Sequence, residues 1–237
     1  LPAEFHAIYA LALAEIAVFQ NEDADEELDE EAEKKRAKEV TKKVKEFFDA
    51  ALERIEIGQE KYPESIELNF AKARILLSRI PLEYISSFDL DSKKSKSSPD
   101  ITKLLEEVVT SYEAAEEAVK LLENYTLLDQ NVFEALKAFD DILDIIKNFG
   151  KADSIKEGLD SDDEDDEFEE DEVKLPKGHP LYNVYHNTDK YSKWLVQHSE
   201  LFGELVNEEY GSLLKKDSAA ISDKERRQIS YLKEVSL

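Results

Sequence analysis

Residues 40–63, VTKKVKEFFDAALERIEIGQEKYP, carry the reading that decides the fold class. Val40, Val44, Phe47, Phe48, Ala51, Leu52, Ile55 and Gly58 recur at steps of three and four, which gathers them on one side of a helix. Lys42, Lys43, Lys45, Glu46, Glu53 and Arg54 fall on the other side. Pro63 ends the helix, because proline has no amide donor and clashes with the preceding turn. Downstream, Ile66, Phe70, Ala73, Leu76 and Leu77 predict a second helix that stops near Pro81. Residues 86–99 (SSFDLDSKKSKSSP) read as a polar loop, after which Ser98 as cap and Pro99 as first helical residue open a helix through Leu105, Val108, Tyr112, Ala115, Val119 and Leu122. Asp129 caps the next, with Val132, Phe133, Leu136, Phe139, Leu143 and Ile146 on its face and Gly150 closing it. A further helix starts at Thr188 or Asp189 and aligns Tyr191, Trp194, Leu195, His198, Leu201, Phe202 and Leu205. The last opens with the capping box Ser222 to Glu225 and buries Ile229 and Leu232, with Val235 beside them. No segment alternates as a strand does, so the fold class is all-α.

Upstream, Leu1 to Gln20 is apolar almost all round, through Phe5, Ile8, Tyr9, Leu11, Leu13, Ile16, Val18 and Phe19. The run is short for a membrane span of ~20 apolar residues, contains Glu15, and has no basic start such as a secretory signal needs. It reads as a helix buried between neighbours. The absence of Met from a Leu-rich chain of 237 residues predicts that its start is truncated.

Ala51, Ile55, Gly58 and Pro63 follow the small, large, small, proline spacing of the second helix of a tetratricopeptide repeat. The small residues let paired helices approach closely, and the proline turns the chain into the next pair. Ala115, Val119 and Leu122 give a weaker echo, and Ala73 fits the small position of an intervening first helix. The aromatic and Leu-Gly pair that accompany this pattern are missing. The expectation is therefore helical hairpin repeats, tetratricopeptide-like or HEAT-like, forming one domain over residues 1–237 with acidic loop insertions at 21–33 and 153–172.

The net charge of −25 is local. Residues 21–33 carry nine carboxylates and no base, and residues 153–172 carry thirteen against Lys156, which leaves −4 for everything else. Both runs read as solvated loops. Charge of this sign repels phosphates, so direct nucleic-acid binding is not expected. Chemistry finds little purchase. With no Cys there is no disulfide framework, zinc ribbon or thiol nucleophile. His6, His179, His186 and His198 lack metal-ligand spacing, and His198 reads as a packed histidine with one satisfied nitrogen. Neither a Gly-x-Ser-x-Gly elbow nor a phosphate-binding loop is present. No catalytic, cofactor-binding or metal-binding residue is assigned, and the expectation is a protein that is not an enzyme. The run from Asp160 has Asp165 where a calcium loop needs glycine. Ser161, followed by acids at each of the next positions, is a candidate phosphorylation site that would add ~−2.

Binding residues are easier to nominate. Lys34-Lys35-Arg36 and Lys93-Lys94-x-Lys96 are either nuclear import patches or solvated surface, and Asn69, Lys72 and Arg74 either hold a peptide carboxylate in a repeat groove or form a solvated helix face. The densest aromatic stretch, residues 180–194, either seals a helix onto the stack or anchors a partner, with Tyr182 and Tyr185 as the candidate partner-binding members.

The opening run FHAIYALALAEIAVF (5–19), the acidic insertion ahead of the carboxy-proximal part, and the runs DKYSKWLVQHSELFGEL (189–205) and RRQISYLKEVSL (226–237) resemble the fungal enhancers of translation termination. These are acidic helical-repeat proteins that include a nuclear factor binding an oxygen-sensing, prolyl-hydroxylase-like dioxygenase. The resemblance implies a non-enzymatic adaptor without a cofactor, nuclear and also cytoplasmic. Its implied partners are a 2-oxoglutarate- and iron-dependent dioxygenase, which it regulates, and translation termination factors. No functional residue transfers by motif. A competing reading is an acidic chaperone whose carboxylate runs shield basic proteins such as histones or ribosomal proteins.

Overall fold

A computed structural model describes residues 1–22, 30–95, 98–151 and 175–215, together with Ser222, Arg226, Arg227 and Ser230. Among the described residues every regular element is helical: α1 (Ala3–Glu22), α2 (Glu30–Lys61), α3 (Ile66–Arg79), α4 (Ile101–Leu122), α5 (Gln130–Lys147), the single turn α6 (Tyr182–Tyr185) and α7 (Thr188–Leu214). They stack as helical hairpins. α1 pairs with α2, α3 with α4 and α5 with α7, while α3 also touches both α1 and α5, so the leading helices of successive hairpins lie side by side.

The hairpin of α1 and α2 follows from small residues. Ala7, Ala10, Ala14 and Ala17 of α1 are buried against Val44, Phe48, Ala51 and Ile55 of α2 and Leu68, Ala71 and Ile75 of α3. Gly58 is the tightest point: a Cβ there would stand 2.9 Å from Leu68 Cδ2 and 3.0 Å from His6 Cβ. Pro63 lies in the turn that follows, where Ser65 caps α3 by accepting from the Leu68 amide. The spacing of Ala51, Ile55, Gly58 and Pro63 therefore does what a hairpin repeat requires of it.

A second, larger cluster fills the space between α3, α4, α5 and α7, with Phe70, Tyr112, Phe139, Ile142, Tyr191 and Phe202 among its members. α5 supplies one clean face, Val132, Ala135, Leu136, Phe139, Ile142, Leu143 and Ile146, all buried. Asp129 caps it, accepting from the amides of Asn131 and Val132 at 2.9 and 3.3 Å. Past its end Gly150 has φ 81°, the left-handed conformation that favours glycine.

Four expectations need correction. α1 is buried on one face only: Ala10 is 0% exposed, whereas Phe5, Ile8, Tyr9, Ile16 and Phe19 point outward. The alanines are inside because only they let the backbones of α1, α2 and α3 come so close. The acidic segment 21–33 is not wholly a loop, since Glu22 completes α1 and Glu30 to Glu33 open α2. As expected, α3 ends near Pro81, at Arg79; beyond it, with no donor from Pro81, the chain runs on as a π turn (Ile80–Tyr84) and then a 3₁₀ turn (Ile85–Ser87), and the Ile85 amide reaches back to the Ile80 and Pro81 carbonyls. α4 begins at Ile101 behind Asp100, two residues later than expected, because Ser98 exchanges hydrogen bonds with Ser95 instead of capping. Leu122 breaks the second echo of the repeat spacing: it is the last residue of α4 and exposed, and Glu123 adopts φ 50° beyond it. The acidic segment 153–172 lies outside the described residues.

Candidate functional site

Ion pairs fix the hairpins before any surface is presented. Arg79, buried at the end of α3, donates to Asp49 of α2 and to Glu83 of the π turn, each at 2.6 Å. Desolvation opposes charge on Arg79 and on Asp49, but the paired hydrogen bonds outweigh it, raising the guanidinium and lowering the Asp49 carboxyl. Beside them burial pushes the Tyr84 phenol up to about 12. Lys72 pairs with Glu107 of α4, Arg74 with Glu15 of α1, and Asn69 accepts from Gln59 of α2. These three therefore brace neighbouring helices, and no groove side chain is gathered from them.

Between α4 and α7 lies a hub of aromatic and acid groups. Tyr112 meets Phe70, Trp194 and His198 edge-on at ring separations of 5.3, 5.4 and 5.7 Å. His198 Nδ1 lies 3.0 Å from both carboxylate oxygens of Glu116, and the pair is 6% and 3% exposed. Trp194 Nε1 donates to Glu113 at 2.8 Å. Burial, helped by the Glu116 charge, holds the Tyr112 phenol well above its ordinary value. The packed histidine expected on the apolar side of this helix is here, but its buried carboxylate partner was not foreseen. Sealed from solvent, the pair ties α4 to α7.

The aromatic stretch after the acidic segment behaves as a clamp. His179 is fully buried; its Nδ1 accepts from the Leu181 amide at 3.1 Å, which leaves Nε2 protonated to donate to the Asp89 carbonyl at 2.9 Å. The Lys94 amide donates to the Gly178 carbonyl at 2.7 Å, so residues 178–181 pin the loop between α3 and α4. Leu181 and Val184 are buried beneath. Tyr182 and Tyr185 are half-buried against the larger cluster and flank His186 at 4.3 and 5.4 Å, presenting one joint aromatic edge. Ser161 lies outside the described residues. Residues 222–237 do too, apart from Ser222, Arg226, Arg227 and Ser230.

Two apolar surfaces had no sequence signal of their own. Phe5, Ile8, Tyr9, Ile16 and Phe19 form the exposed side of α1, with Leu1 exposed just ahead of it. By length and composition alone this helix could cross a membrane, yet its alanine face is packed against α2 and α3. A cleft of about 400 Å³ opens between α5 and α7, lined by Phe133, Leu136, Val196 and Phe202. Among the described residues no group of three or more His, Asp or Glu side chains is placed to hold a metal ion.

Comparison with known proteins adds the family. Proteins named Enhancer of translation termination 1 are 44% identical over 213 residues in Debaryomyces hansenii, 41% over 237 in Candida tropicalis and 38% over 196 in Saccharomyces cerevisiae. These alignments take in 90%, 98% and 82% of this chain and 44%, 52% and 42% of the relatives. The chain thus spans about half the length of the curated relatives it matches. No solved structure matches it. The family described as Nuclear pore complex subunit Nro1 matches residues 1–236, and with that match the chain belongs to the Nro1 family.

Proposed function

We propose that the chain is part of a non-enzymatic protein-binding adaptor in translation termination. On this reading it works with termination factors and binds and regulates a 2-oxoglutarate- and iron-dependent, prolyl-hydroxylase-like dioxygenase. Its place is the nucleus and also the cytoplasm, and the iron chemistry resides in the partner. The observation that carries the binding reading is the surface: a braced stack of hairpins leaves large apolar side chains on α1 and in the α5–α7 cleft, and such patches mark protein contacts. The relatives' name supports translation termination, and the family description supports a nuclear association. Tyr182 and Tyr185 are the proposed anchors, because aromatic groups fixed on a rigid base lose little freedom on binding. Phosphorylation of Ser161 would add charge to the acidic segment 153–172 that contains it.

The alternative is the acidic chaperone, favoured by the net −12 of residues 153–172. Titration of a purified 2-oxoglutarate-dependent dioxygenase against the intact protein, the Tyr182→Ala/Tyr185→Ala variant and a variant lacking residues 153–172 separates the two, at 0.05 and 0.3 M salt. The adaptor reading expects binding that survives both the deletion and the salt and drops at least tenfold with the tyrosines. Absence of binding by the intact protein overturns the dioxygenase assignment. Binding of histones that vanishes with the deletion or at high salt establishes the chaperone instead.

A further inference from the structure

α1 and α2 hold each other along one pair of rows and leave a second pair uncovered. The buried rows are Ala7, Ala10, Ala14 and Ala17 on α1 and Val44, Phe48, Ala51 and Ile55 on α2, and α3 closes one flank of them with Leu68, Ala71 and Ile75. On the other flank runs a further row on each helix. On α1 it is Phe5, Tyr9, Ala12, Ile16 and Phe19, and on α2 it is Lys43, Phe47, Ala50, Arg54, Ile57 and Lys61, both at alternating steps of four and three. That spacing is the 3.5-residue period by which one helix meets another. The two rows share one surface: the Arg54 guanidinium carbon stands 5.4 Å from the centre of the Phe5 ring and 5.1 Å from that of Tyr9, and those rings are stacked with 8° between their planes. Phe5, Tyr9, Ile16, Phe19 and Ile57 are all between 41% and 60% exposed.

Every charge in the two rows is positive. Among the described residues Lys43, Arg54 and Lys61 form no ion pair, and Arg54 Nε is buried without a hydrogen-bond partner, whereas Arg74 and Arg79 of α3 each meet a carboxylate. The carboxylates of α1 are turned elsewhere, Glu15 to Arg74 and Glu4 to the cleft shared with α3 and α5. Outward of the bases, Glu46, Glu53 and Glu60 recur every seven residues and give α2 a negative edge. We infer that this face takes an amphipathic helix of a partner protein, with apolar side chains at four-three spacing, a carboxylate within that seam to receive Arg54, and bases along the edge that meets Glu46, Glu53 and Glu60. A second copy laid symmetrically on the same face would set base against base. The inference rests on the protein-binding reading above and needs neither the dioxygenase nor Tyr182 and Tyr185.

Lys43 and Lys61 stand about 27 Å apart along α2 at ~1.5 Å per residue, so a helical peptide of roughly 18 residues covers the face. The probe is such a synthetic peptide with leucine at four-three spacing, one glutamate in the seam and lysines along one edge. Its control carries lysine for the glutamate and glutamates for the lysines. The full chain should bind the probe at least tenfold more tightly than the control, and the probe should slow hydrogen exchange in residues 5–19 and 43–61. Arg54→Glu should reverse the preference; an unfolded chain gains affinity for neither peptide, so the gain for the control separates a change at the site from misfolding. Absence of binding, equal binding of both peptides, or a preference that Arg54→Glu leaves unchanged overturns the proposal, while the dioxygenase titration stands or falls separately. Sedimentation as a dimer that the probe dissociates also overturns it, by making a second copy the occupant. Should Arg54→Glu unfold the chain, Arg54→Gln decides: a preference reduced at least threefold supports docking, and an unchanged one rules it out.

Discussion

α1 and α5 are both apolar leading helices of a hairpin, yet they bury opposite kinds of side chain. α5 hides Phe139, Leu143 and Ile146 and shows a mainly polar side to water, with Phe133 and Ile145 the exceptions. α1 hides four alanines and shows Phe5, Ile16 and Phe19. Hydrophobicity alone ranks the faces of α1 wrongly; the deciding quantity is how near the neighbouring backbone stands. Where helices approach closely, a small side chain is the one that fits, and the large ones go to whatever side has room.

The comparison can be broken most forcefully at α5. Phe139→Ala removes a buried ring that touches Tyr191 and Trp194 at ring separations of 6.1 and 5.0 Å, and denaturant melts should record a loss of about 3–5 kcal/mol. On the α1 side the vulnerable change is an enlargement: Gly58→Leu drives a side chain into Leu68 and His6 and should cost about 1–3 kcal/mol, where Lys45→Ala costs well under 1. Equal stability of those two variants would remove the close-approach account of the first hairpin.

Alkali should distinguish the two clusters next. Burial, with Glu116 adding to it, holds the folded Tyr112 phenol well above 10.0. Between the two values the unfolded chain releases a proton that the folded chain keeps. This stability is therefore complete below about pH 10 and declines as pH rises toward the folded value. Hydrogen exchange above pH 10 should loosen α4 and α7 before α1 and α2, where Tyr9 is exposed, and Tyr112→Phe should flatten the decline. The smallest effect is expected at Phe19→Ser, within about 0.5 kcal/mol, because the ring is 60% exposed. A larger loss in the same melt would mean that something already covers the outer face of α1.

The unequal legibility of these regions has the same physical root. Periodicity located the helices around residues 40–63 and 129–147, and the Ala51, Ile55, Gly58, Pro63 spacing gave the hairpin, because each rests on neighbours within one or two turns. The outward face of α1 and the Glu116–His198 pair depend on partners far away in the chain, 82 residues for that pair, and no local pattern encodes them. Tyr182 and Tyr185 could be nominated from aromatic density. His179, which holds their segment in place, could not, since a lone histidine beside a proline has no periodic signature.

His179 also sets an order in time. The carbonyl it grips belongs to Asp89, 90 residues earlier. At a synthesis rate of ~5–20 residues per second, roughly 5–20 s separate the appearance of the two. Once Leu122 has emerged, 33 residues after Asp89, α3 and α4 can lie together, while the loop joining them still lacks its fastening. The growing chain can therefore pair α1 with α2 and α3 with α4 before the latch exists, and a ribosome that stalls between Leu122 and His179 carries these two hairpins unlatched.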